Sequence, residues 1–200
     1  MDYLLKFIPV VVIGPNGKKR TLAFFDEGLT VSLISKELAE SLGLIPYQAS
    51  LSLTGLNNTK LAVNINSKTN FSIKTCTDDI NSQTHFVKGV FIVSELNIRA
   101  QSLKLSDLAR HPHLNDLNIL TYDYSLPQIL LGQDQWSLIV TRDLRSSNKN
   151  ALAASSTLLG WVAHGSLPRT HAYPYSSVHA VHQSIEERNS YRELDLLIKE

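Results

Sequence analysis

The segment Thr21-Leu22-Ala23-Phe24-Phe25-Asp26-Glu27-Gly28-Leu29-Thr30-Val31-Ser32-Leu33-Ile34 joins two apolar, β-prone runs through an acidic break that carries a glycine. An aspartate at a strand end beside glycine places a carboxylate in a tight loop held by its flanking strands. Upstream, Tyr3 to Ile13 is rich in Val, Ile and Leu and reads as a strand. Pro15-Asn16-Gly17-Lys18 follows, and its Asn-Gly pair predicts a two-residue hairpin turn. The chain thus opens with a β-hairpin whose second strand feeds the acidic loop. The opening run contains Lys6 and Pro9, is preceded by Asp2 in place of a basic region, and has no small-residue cleavage site after it. At about eleven residues it is also shorter than the roughly 20 that a membrane-spanning helix needs. It reads as neither a signal peptide nor a membrane span.

Downstream of the loop, Ser35 to Leu42 places apolar residues at helical spacing behind a Ser35 cap, and Gly43 closes the helix. From Ser50 to Ile73 the pattern alternates through Leu51, Leu53, Leu61, Val63, Ile65, Phe71 and Ile73, with Gly55-Leu56-Asn57-Asn58 at a turn, which predicts a second hairpin. Phe86 to Val93 predicts a further strand. Residues 94–127 are irregular, with one short helix near Leu103 to Ala109. Ile129-Leu130-Leu131-Gly132 reads as a short buried strand, Asp134 to Val140 as a turn or two of helix, and 142–157 as a mobile loop. Leu158 to Ala163 reads as one more strand. Residues 165–183 mix Pro, Ser, His and Tyr without a period and read as linker. Ser184-Ile185-Glu186-Glu187 fits a capping box, with Leu194, Leu197 and Ile198 on one face behind it. Ending at Glu200 inside this helix, the chain reads as a fragment of something longer. It shows no internal repeat.

The composition narrows the functions. Of 200 residues 43% are hydrophobic and 18% charged, enough apolar material for one sizeable core or two small ones. The 19 basic and 18 acidic residues give a net charge of +1, without the concentrated positive field that nucleic acid or anionic membrane demands. Cys76 is the single cysteine, which excludes an internal disulfide and a multi-cysteine zinc site, and suits a reducing compartment. Cysteine-histidine knuckles are absent too.

Two further elements follow the acidic loop in order: the glycine-bearing hairpin Leu53-Thr54-Gly55-Leu56-Asn57-Asn58, and Ile129-Leu130-Leu131-Gly132-Gln133-Asp134. With Leu33-Ile34, the helix ending Leu42-Gly43-Leu44, and Thr157-Leu158-Leu159-Gly160-Trp161-Val162-Ala163-His164-Gly165, this series resembles the retropepsin-like aspartic peptidase domain of BEL/Pao-type retrotransposon polyproteins. The resemblance spans most of the chain. The Leu-Gly-Trp strand is its more discriminating part, because Asp-x-Gly alone does not separate this family from other retropepsins.

The resemblance implies an all-β fold, a retropepsin-like closed β-barrel with a flap hairpin and one or two short helices, over residues 1–165. A linker at 166–183 and the start of a helix at 184–200 would lead to a downstream domain. It implies an aspartic endopeptidase that works as a homodimer and cleaves its own polyprotein through a water activated by two aspartates. Asp26 would be catalytic, with Glu27, Gly28 and Thr30 in the active-site loop. Thr54, Gly55, Leu56 and Asn57 would form the flap over the substrate, and Leu130, Leu131, Gly132 and Asp134 a structural motif beside the site. No cofactor, metal, nucleic acid or membrane is implied, and the setting would be cytoplasmic or within virus-like particles. The chain departs from the pattern in carrying Glu27 where most retropepsins have Thr or Ser, and Leu29 after the glycine; Thr30 would be the candidate for a substitute hydroxyl. That departure keeps open an alternative, a catalytically inactive dimerisation or scaffold domain of the same shape.

Other residues read as structural. Asp134 reads as a cap or a partner for buried amides, His111-Pro112-His113 as a surface loop without metal-ligand spacing, and His179 and His182 as solvated linker. Cys76 reads as a strand residue with only Lys74 as a basic neighbour, and Trp136 and Trp161 as core anchors.

Overall fold

A computed structural model describes residues 2–54, 60–77, 82–96, 98–167 and 182–184. The chain begins with β1 (Asp2–Leu4), β2 (Phe7–Gly14), β3 (Gly17–Phe25), β4 (Leu33–Ser35) and α1 (Lys36–Ser41). Next come β5 (Tyr47–Thr54), β6 (Lys60–Thr75), β7 (His85–Val93), β8 (Gln101–Leu103), α2 (Leu105–Leu108) and β9 (Tyr122–Ser125). The last described elements are β10 (Ile129–Leu131), α3 (Trp136–Ile139), β11 (Asp143–Arg145), β12 (Leu152–Thr157), β13 (Gly160–Leu167) and β14 (His182–Ser184).

Six strands close a barrel in the order β6-β2-β3-β10-β4-β7, with β7 pairing back onto β6. This is the all-β closed barrel that the resemblance implies, built from strands that the alternating patterns predict. Strand period two explains it: Ile8, Val10 and Val12 of β2 are buried while Val11 and Ile13 are less so, and Ala23 and Phe25 of β3 face the same interior. Phe71, Ile73, Val87, Val90, Ile34, Ile129 and Leu131 complete the interior, with α1 adding Leu38 and Ala39 and α3 adding Leu138 and Ile139. Each such Val, Leu, Ile or Phe side chain contributes about 1.5–3 kcal/mol when fully buried. All three residues of β10 are buried, as a strand covered on both faces must be.

A second sheet, β1-β13-β12-β11, is antiparallel and packs on its own core of Leu4, Phe7, Leu103, Leu114, Leu152, Ala154, Ala163 and Leu167. Here the structure corrects the sequence reading. Residues 142–157 are not one loop, because β11 and β12 lie within them and Leu152 and Ala154 are wholly buried. The small residues Ala153-Ala154-Ser155-Ser156 carry little strand propensity, and continuous pairing with β13 decides their state. Tyr3 to Ile13 likewise divides at Leu5-Lys6, so that β1 joins the second sheet and β2 the barrel. The hairpin turn is displaced by one residue. Gly14 faces Gly17, leaving Pro15-Asn16 at the tip, and Gly17 takes the positive φ of 118°. The tip is anchored to the end of α1, where the Asn16 amide donates to the Leu42 carbonyl at 3.0 Å.

Trp136, expected in the core, is 60% exposed, since at the first position of a one-turn helix it points away from Leu138 and Ile139. Trp161 is half-buried against the second core. Cys76 lies just past the end of β6. The short helix expected near 103–109 is α2, and the helix expected from Ser35 is α1, with the Ser35 hydroxyl accepting from the Leu38 amide. Strand β13 runs to Leu167, two residues past 165, and β14 occupies 182–184, where linker and capping box were read. Residues 168–181 and 185–200, which hold the rest of that expected linker and helix, lie outside the described residues. Among the described residues no helix is long and apolar enough to cross a membrane.

Candidate active site

Strand β10 lies between β3 and β4, parallel to the first and antiparallel to the second. The connection 26–32 therefore leaves β3, passes over the end of β10 and returns as β4. Backbone hydrogen bonds tie it down: the Asp26 amide donates to Leu131 O at 3.0 Å, the Gln133 amide to Leu29 O at 2.7 Å, and the Asp134 amide to Thr30 O at 3.2 Å. The crossing is so close that a Cβ on Gly132 would sit 2.4 Å from Val31 O and 2.6 Å from Leu29 O. Glycine at 132 is thus a steric requirement of the loop above it.

Asp26 is partly exposed at the start of this loop. Its Oδ1 accepts the Gly28 amide at 2.9 Å, and its carbonyl accepts the Leu29 amide at 3.2 Å, a turn closed by the aspartate itself. Gly28 is exposed, and a Cβ there would approach only Asp26 Oδ1, at 3.3 Å. It does not take a positive φ, so the turn freedom read from the sequence is not what the chain uses.

The two departures from the retropepsin pattern occupy distinct places. The Glu27 carboxylate pairs with the Lys6 ammonium at the break between β1 and β2, and its backbone carbonyl accepts from Gln133 Nε2 at 2.8 Å. Lys6 also reaches Thr141 Oγ1 at 3.4 Å. His164 lies near this pair, and its Nε2 meets Ser155 Oγ at 2.8 Å. Burial, then the Lys6 charge, holds the His164 pKa below its ordinary value, with Glu27 opposing. Leu29 is 3% exposed and packs inward with Val31, Leu33, Leu51, Phe91, Val93 and Leu130. Its bulk fills the core and does not crowd the loop surface. Thr30 is exposed beside it.

Asp134 clamps the loop from below. Its Oδ2 accepts the Ser32 amide at 3.0 Å and its Oδ1 the Ser32 hydroxyl at 2.6 Å, while Ser32 Oγ accepts the Gly132 amide at 3.0 Å. Ser32 is fully buried. Asp134 is therefore a partner for the buried Ser32 amide and not a helix cap: it lies inside a 3-10 turn, Gln133–Gln135, that precedes α3. Leu130 and Leu131 are buried beneath, in two different cores. Sequence reasoning missed Ser32, Lys6 and Gln133. The available signal for Ser32 was a lone hydroxyl in the apolar run Val31 to Ile34.

The second hairpin is β5 and β6, with Thr54 opposite Lys60 at its outer end. Gly55, Leu56 and Asn57 lie outside the described residues. Leu51 of β5 belongs to the same buried cluster as Leu29 and Val31, so the hairpin and the Asp26 loop share a core. A hollow of about 530 Å³ lies at the far end of β4 around Ser35, Glu95, Leu96 and Gln128, and shares no residue with the loop. His111 and His113 meet edge to face at 5.8 Å, and His113 Nε2 contacts Leu152 O at 2.9 Å, so His113 ties the surface turn to β12. Among the described residues no group of three or more His, Cys, Asp or Glu could hold a metal ion. Compared with known proteins, the chain matches no family model, no curated protein and no solved structure.

Proposed function

We propose that the chain is an aspartic endopeptidase of the retropepsin type, active as a homodimer on extended, mostly apolar segments of the polyprotein that contains it. The supporting observation is the Asp26 loop: a carboxylate at the end of β3, closed by the Gly28 amide and carried over the end of β10 by Gly132. Aspartic proteolysis uses two carboxylates that share one proton, one acting as base toward water and the other as acid toward the scissile carbonyl. One chain supplies one such loop, and a two-fold axis brings the second. Gly28, exposed at the loop, allows the two loops to meet across that axis. Glu27 is drawn aside by Lys6, and Thr30 is the exposed hydroxyl-bearing residue of the loop. The chemistry needs no cofactor, and the reading places the enzyme in the cytoplasm or in virus-like particles with its polyprotein.

The test is Asp26→Asn. Cleavage of an apolar peptide falls at least about a thousandfold, as loss of a general acid-base carboxylate requires, while circular dichroism and unfolding stay as in the wild type. Wild-type specific activity rises with protein concentration in the dimerisation range. Wild-type protein that dimerises but does not cleave would leave the scaffold reading in its place, and full activity in Asp26→Asn would overturn the assignment of the aspartate.

A further inference from the structure

Strand β5 is bounded on one side by β6 and on the other by β14, which pairs antiparallel with the register His182↔Thr54, Gln183↔Leu53 and Ser184↔Ser52. Without β14, the outer edge of β5 would present its backbone N–H and C=O groups unpaired, and such an edge accepts an extended peptide by strand addition. The same strand carries Leu51, which shares one buried apolar cluster with Leu29 and Val31 of the Asp26 loop, so β5 and that loop rest on a common core. Residues 182–184 follow the second sheet in the sequence. They satisfy the edge by main-chain pairing, the mode that is indifferent to side-chain identity.

We infer that the outer edge of β5 is a peptide-accepting strand edge and that residues 182–184 are its tethered occupant, which an incoming substrate strand must displace. This rests on the peptidase reading for the identity of the incoming strand, and on the β5–β14 pairing for the rest. Because the occupant is linked to the barrel through residues 168–181, its pairing is intramolecular, and its effective concentration does not fall on dilution. The edge would be shielded from other chains in the same way that covered edges elsewhere avoid aggregation. A peptide binding there competes against this tether, which lowers its apparent affinity.

The experiment uses the full chain carrying Asp26→Asn, so that binding is read without cleavage, and adds Gln183→Pro or His182→Pro. Proline removes a ladder N–H, and adjacent residues of an antiparallel strand alternate between hydrogen-bonded and non-bonded positions, so one of the two variants breaks the pairing. Hydrogen exchange reads the amides of Ser52, Leu53 and Thr54, and fluorescence anisotropy reads an extended, labelled apolar peptide. The expected result is faster exchange, in at least one variant, at those of the three amides that face β14, with unchanged protection in β2 and β3, and peptide binding about tenfold tighter in that variant. Unchanged exchange in both variants would overturn the pairing. Lost protection with unchanged or absent peptide binding would overturn the competition. Failure of the unsubstituted chain to cleave, with the affinity difference intact, would overturn the peptidase reading alone.

Discussion

Replacing Asp134 by alanine removes the carboxylate that holds the buried Ser32 amide at 3.0 Å and the Ser32 hydroxyl at 2.6 Å. Hydrogen bonds to a charged group are worth about 1.5–3 kcal/mol each, and a buried donor left unmade costs about 1–3 kcal/mol. Ser32 is wholly buried, but Asp134 lies at the surface, so water entering on that side recovers part of the loss. Asp134→Ala is therefore expected to destabilise the fold by about 2–3 kcal/mol, and Asp134→Asn, which keeps one acceptor oxygen, by about 1 kcal/mol. Urea unfolding monitored by tryptophan fluorescence checks this, with a lower midpoint at constant slope. A double-mutant cycle with Ser32→Ala isolates the pair and should give a coupling of about 1–2 kcal/mol. A loss below about 0.5 kcal/mol, or strict additivity with Ser32→Ala, would refute the argument that this carboxylate fastens the loop.

Gly132→Ala drives a methyl group into the carbonyls of Val31 and Leu29, which belong to backbone and cannot rotate away; a stability loss of about 1–3 kcal/mol is expected, with peptide turnover falling further than stability, and an unchanged melting temperature would show that the loop does not ride on β10. The pH dependence of stability should carry a signature of His164, whose folded pKa lies below its ordinary value of about 6.5. Below 6.5 the unfolded chain binds a proton that the folded chain refuses, so this residue's contribution is intact above 6.5 and lost as pH falls toward the folded pKa. The urea midpoint of the wild type should therefore drop more between about pH 7.5 and about pH 5 than that of His164→Gln, and parallel pH profiles would show that burial beside Lys6 does not disfavour its charge.

Much of the fold was legible because its signals are local. Ile8, Val10 and Val12 alternate as a half-buried strand must, Ile129-Leu130-Leu131 is apolar throughout as a fully covered strand must be, and Ser35 with Gly43 brackets α1. The position of Asp26 at a strand end was legible for the same reason. Strand β12 was not, because Ala153-Ala154-Ser155-Ser156 has no strong period and becomes strand only by pairing with β13. Trp136 misled because aromatic content predicts burial on average, while direction around a one-turn helix decides it in the particular case.

By itself the sequence determined which residues alternate, where the chain turns, and that a single acidic loop interrupts the first apolar stretch, since each depends on side chains a few positions apart. Only the tertiary structure decided that β10, about a hundred residues later in the chain, inserts between the two strands flanking that loop. It also decided that Gly132 and Asp134 support the loop from beneath, that Lys6 takes the Glu27 carboxylate, and that Leu29 turns into the core. These contacts join residues whose spacing in sequence carries no periodic signal. They are selected by the closure of the barrel, which fixes which backbone groups meet and leaves each buried donor to find its acceptor.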